Sequence, residues 1–107
     1  KCNGELSKIT SKVGLITADE LAYAGYAYNL QNTTTYLQEN ATDSYWWSLS
    51  PISFSGIAVV WYVNGSSGSF DKGGVDFTSS VRPSISLKSS TNVTGEGTSS
   101  SPFVVKI

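Results

Sequence analysis

The sequence predicts a single α+β domain: a small twisted antiparallel sheet, one short helix and long ordered loops. Three observations carry this. A capped helical segment runs from Thr17 to Gly25. An uninterrupted apolar run, Ile57 to Val63, stops at an Asn-Gly pair. A period-two stretch, Val81 to Lys88, reads as a half-buried strand. The chain of 107 residues is long enough for one core and no more.

Lys1 to Lys12 has no sustained period and reads as an irregular leading segment. At Thr17-Ala18-Asp19-Glu20 a threonine can accept from the backbone of the first turn, and two acids complement the positive end of the helix dipole. The helix then runs from Ala18 to about Ala24, facing a core with Leu21 and either Ala22 or Ala24, and Gly25 is placed for a left-handed cap. Tyr26 to Asp43 is loop-like, with a weak edge strand over Thr33 to Leu37. Tyr45 to Pro51 reads as a short strand ended by Pro51, with one ring of Trp46-Trp47 on each face. Ile57 to Val63 is the central strand, and Asn64-Gly65 its turn. The chain returns through Phe70, turns at Lys72-Gly73-Gly74 and resumes at Val75-Asp76-Phe77. In the next strand Val81, Pro83, Ile85 and Leu87 share the inward face and Arg82, Ser84, Ser86 and Lys88 the outward one. A Ser, Thr and Gly tract from Ser89 to Ser101 leads to a last strand, Phe103 to Ile107.

Composition removes several functions. Ser and Thr supply 29 residues and the net charge is −1, so no basic footprint for nucleic acid or anionic membrane exists. Three Trp, six Tyr and four Phe are too much aromatic mass for a disordered linker. With no histidine, one cysteine at position 2 and carboxylates scattered singly, no cofactor or metal is expected. The longest apolar run is seven residues, far short of a membrane span, so no membrane insertion is expected. The same inventory argues against an enzyme: there is no histidine base, no internal cysteine nucleophile and no phosphate-cradling loop ahead of a helix. A carboxylate-only hydrolase built on Asp71 and Asp76 is the residual catalytic reading.

Three segments, Val13 to Gly25, Tyr45 to Pro51 and Val81 to Leu87, with the ending Thr94-Gly95-Glu96-Gly97-Thr98 and Ser101 to Val105, resemble a group of uncharacterised bacterial surface domains of the kind common in gut Firmicutes. The resemblance implies a C-type-lectin-like fold, related to formylglycine-generating-enzyme-type domains and to the variable receptor-binding proteins of diversity-generating retroelements. It implies an extracellular or cell-surface location. It also implies that the chain is the C-terminal portion of a longer one, with an edge open to self-association or to pairing with a preceding segment. The cysteines and metal of the formylglycine-generating relatives have no counterpart here, so their activity is not implied.

The expected function is therefore ligand binding or display, with a protein or glycan as ligand. The recognition surface falls between Ser53 and Phe77, where Tyr62, Asn64, Ser66, Phe70, Asp71, Asp76 and Phe77 mix adaptable polar groups with rings on turns. Trp46, Trp47 and Arg82 are assigned to the fold instead, the arginine as a hydrogen-bonding fork. Four Asn-x-Ser/Thr triplets, at Asn32, Asn40, Asn64 and Asn92, mark exposed loops. A structural or assembly module is the other expectation, resting on the closing Phe103 to Ile107 strand.

Overall fold

A computed structural model describes residues 7–42, 44–98 and 100–107. The chain is α+β and mostly antiparallel: β1 (Gly14–Leu15), α1 (Ala18–Tyr23), α2 (Tyr36–Glu39), β2 (Trp46–Phe54), β3 (Ala58–Val63), β4 (Phe70–Gly74), β5 (Pro83–Ser84), β6 (Val93–Thr94) and β7 (Val104–Val105). Strands β2, β3 and β4 make the main sheet with β3 in the centre, while β1 pairs with β5 and β6 with β7. Half of the expected leading segment, Cys2 included, lies outside the described residues, as do Asp43 and Ser99; Ser7 to Lys12 forms no helix or strand.

The first helix forms as its local chemistry dictates. Thr17 accepts from the Glu20 amide at 3.3 Å, and the Glu20 carboxylate accepts from the Thr17 amide at 2.8 Å, closing a capping box. The Thr17 amide foremost, and then the Thr17 hydroxyl, which donates to the same carboxylate at 2.9 Å, hold the Glu20 carboxyl below its ordinary value. Gly25, at φ +98, ends the helix in the left-handed region. Leu21 is fully buried, and Ala24 rather than Ala22 joins it against the core.

Five expected elements come out differently. Thr33 to Leu37 is not a strand: Thr35 starts the one-turn helix α2, giving the described chain two short helices instead of one. A helical turn lets the adjacent Leu37 and Gln38 both turn inward, which a strand's alternation forbids. Leu37 packs on the core, and the buried Gln38 amide donates to the Gly65 carbonyl while accepting from the Tyr26 hydroxyl. Pro51 does not end β2, which runs on to Phe54. The strand is at the sheet's edge, where a missing N–H costs little, and its register slips on both sides of the proline.

The β3–β4 turn is also not the two-residue Asn-Gly type, since neither Asn64 nor Gly65 has positive φ. Asn64 instead accepts from Ser66 and Ser67, the Gly68 amide bonds back to the Asn64 carbonyl, and Gly68 takes the left-handed position at φ +68. Lys72-Gly73-Gly74 continues β4, and the turn falls at Val75 to Phe77, where the Phe77 amide bonds the Gly74 carbonyl.

The Val81 to Lys88 stretch is inverted. Only Pro83–Ser84 pairs, with β1, and Val81, Ile85 and Leu87 are all more than half exposed. Arg82 turns inward: its guanidinium lies 4.9 Å from the centre of the Trp46 ring and donates to the Leu37 carbonyl at 2.5 Å. A cation over a buried ring with a carbonyl acceptor holds the arginine inside, and the period-two pleat then sends its apolar neighbours out. The last strand forms as β7, paired with β6 and exposed throughout.

The main sheet thus has two distinct faces. Trp46, Trp61, Val63 and Phe70 lie on the core face, under Leu21 and Tyr26, with Trp61 stacked on Phe70 at 4.6 Å and Tyr26 edge-on to Trp46 at 6.3 Å. Both edges are guarded. Along β2 the Trp47 amide bonds Ser80 and the Leu49 amide bonds Ile16. Along β4 the Phe70 carbonyl accepts from Asn29, and alternation puts the Lys72 amide on the same edge. Asp71 occupies that amide with its own carboxylate, at 2.8 Å.

Candidate ligand-binding cleft

The face of the sheet turned away from the core gathers aromatic side chains. Trp47 and Tyr62 are direct partners across the β2–β3 ladder, so the pleat places both on this outer face, with ring centres 5.9 Å apart and planes at 82°. Tyr45 joins from the approach to β2, 4.8 Å from Tyr62 and at 79° to it. On the far side of Tyr62 lies Gly73, and here the missing side chain matters: a Cβ would come within 2.3 Å of Tyr62 Cε1. The tyrosine ring can therefore lie across β4, which a larger residue would prevent.

Phe77, Thr78 and Ser79, on the chain leaving β4, complete a cleft of about 310 Å³ with Tyr45, Trp47, Tyr62 and Gly73. That volume is at the small end of ligand sites. Two larger depressions, of about 520 and 530 Å³, flank β1 and Pro51 but are lined by no aromatic ring.

The electrostatics of the cleft follow from the same register. Asp71 is the ladder partner of Tyr62 and so shares its face. Burial pushes the Tyr62 hydroxyl above its ordinary range, and the neighbouring Asp71 carboxylate and Tyr45 push the same way. Lys72 borders the cleft, yet its ammonium lies 5.8 Å from the centre of the Tyr28 ring, and Tyr28 packs on the core-face Trp61. By register the Asp71 side chain takes the cleft's face of the sheet and the Lys72 side chain the core face, with Trp61.

Of the residues the sequence nominates, Tyr62 and Phe77 line this cleft and Asp71 stands beside Tyr62. Asp76 is exposed on the turn after β4, with its carboxylate close to Gly74. Asn64 and Ser66 belong to a turn pinned to α2 through Gly65, with the Asn64 oxygen already accepting from Ser66 at 2.7 and 2.9 Å. Phe70 is buried in the core, 6% exposed, out of a ligand's reach.

Sequence reasoning misses Tyr45, Gly73 and Trp47, the last assigned to the fold together with Trp46. The signal was present: adjacent strand residues face opposite ways, so burying Trp46 at 2% exposure obliges Trp47 to face outward. Among the described residues no group of three or more His, Cys, Asp or Glu gathers as metal ligands do, and no helix is long and apolar enough to cross a membrane. No family model, curated protein or solved structure matches the chain.

Proposed function

We propose that the chain is a non-enzymatic ligand-binding or display domain of a secreted or cell-surface bacterial protein, built on a C-type-lectin-like scaffold and taking a protein or glycan ligand in the cleft around Tyr62. One observation carries the reading: Tyr45, Trp47, Tyr62 and Phe77 converge on a concave face instead of packing beneath another layer. Rigid rings supply contact area at low entropic cost, and Thr78 and Ser79 add hydroxyls at the rim. The scaffold assignment is supported by the order of segments, a capped helix followed by a three-stranded antiparallel sheet.

The test is a glycan array and a protein-capture assay run on the parent and on Trp47→Ala. A ligand of this cleft is expected to lose at least about tenfold in affinity on Trp47→Ala, the magnitude of a lost aromatic contact at a binding centre. A ligand held equally by both proteins removes the cleft from consideration.

A second reading, an assembly module, is favoured by β6 and β7. Every residue of this two-stranded ribbon is exposed, including Val93, Val104 and Val105, and such a ribbon is marginal alone. Sedimentation decides it: concentration-dependent association that Val104→Ser with Val105→Ser abolishes supports assembly, and a monomer at every concentration rejects it.

A further inference from the structure

The shape and charge of the cleft narrow the ligand further. A flat, open aromatic ring suits stacking by a sugar or a planar group. Here the Tyr62 ring instead meets Tyr45 at 79° and Trp47 at 82°, so two walls of the cleft stand nearly perpendicular to a third. Each ring face carries the negative part of the aromatic quadrupole, and a group that touches several walls at once meets that negative potential from more than one side. Asp71 adds a full negative charge on the same sheet face. Lys72 also lines the cleft, but its side chain takes the opposite sheet face, with Trp61, and its ammonium lies 5.8 Å from the centre of the Tyr28 ring.

We propose that the cleft formed by Tyr45, Trp47, Tyr62 and Phe77 beside Asp71 takes a quaternary ammonium group, such as the trimethylammonium of choline. The inference rests on the reading of this cleft as a binding site. A trimethylammonium fits both properties at once: its methyl groups present an apolar surface to the rings, and its diffuse charge is attracted to ring faces and carboxylate while being weakly held by water. A primary ammonium is more strongly hydrated and gives up more to enter. A neutral tert-butyl group fills the same space without the charge.

The experiment titrates the ¹⁵N-labelled chain with choline, with 3,3-dimethylbutan-1-ol, its neutral carbon isostere, and with glucose. Choline is expected to shift the Trp47, Tyr62 and Gly73 signals saturably and to bind about tenfold tighter than the isostere, as a multi-ring cation contact implies. Asp71→Asn keeps an oxygen for the Lys72 amide while removing the charge. It is expected to weaken choline about threefold and leave the isostere unchanged. The proposal is overturned by equal binding of choline and isostere, by indifference of choline to Asp71→Asn, or by choline failing to shift these signals. If glucose, or a ligand found by array or capture, shifts Trp47 while choline does not, the ammonium assignment falls and the cleft remains a binding site. If none of them shifts it and Trp47→Ala changes no captured ligand, both readings fall.

Discussion

Trp46→Ala is expected to destabilise the domain by about 3–5 kcal/mol, the range for emptying a buried aromatic site. The magnitude is severe here because the core is small. Among the described residues five apolar side chains are buried, Leu21, Tyr26, Trp46, Val63 and Phe70, and Trp46 is the largest of them. A domain of this size holds only about 5–15 kcal/mol in all. The substitution also strips Arg82 of the ring beneath its guanidinium, leaving a half-buried cation whose remaining tie is the Leu37 carbonyl. Urea unfolding at 25 °C checks this. A parallel measurement on Trp47→Ala sharpens it: that ring sits on the outer face, so its loss should cost well under half as much. Equal losses for the two tryptophans would contradict the two-faced sheet.

Gly73→Val is expected to weaken ligand binding at least about tenfold while costing little stability. The new Cβ would fall 2.3 Å from Tyr62 Cε1 and 3.1 Å from its Cδ1, so the ring must swing off β4. The space open to it is the cleft itself. Valine favours strands and glycine weakens them, so the backbone offsets part of the steric cost. A melting temperature within a few degrees of the parent, together with at least a tenfold loss of affinity, is the expected pair of results. Retained affinity would show that Tyr62 moves without closing the site.

What the sequence made legible was governed by neighbours along the chain. The helix from Thr17 to Gly25 was readable because its caps, its first-turn acids and Leu21 lie within one another's reach. The central position of β3 was readable from its unbroken β-branched and aromatic run. What stayed hidden depends on contacts distant in sequence. Gln38 became helical and buried because the Gly65 carbonyl waited for its amide. Arg82 reversed a strand's faces because Trp46 lay beneath it. Gly73 reads as a turn residue in the sequence, and only its place opposite Val60, diagonal to Tyr62, reveals it as a place cleared for the Tyr62 ring. The candidate site was legible in part. The sequence nominates Tyr62, Asp71 and Phe77, yet Phe70 alternates onto the core face one residue before Asp71, and Trp47 faces outward where its neighbour Trp46 is buried.

Under the proposed function, ligand meets this protein on the outer face of the β2–β3–β4 sheet. The indole N–H signals of the three tryptophans test it directly, because Trp46 is buried, Trp61 stacks on Phe70 in the core layer and Trp47 lines the cleft. With ¹⁵N-labelled protein and any ligand that an array or capture assay finds, the Trp47 indole signal should move in proportion to occupancy while Trp46 stays in place. A saturating ligand that leaves Trp47 unmoved would contradict binding on this face.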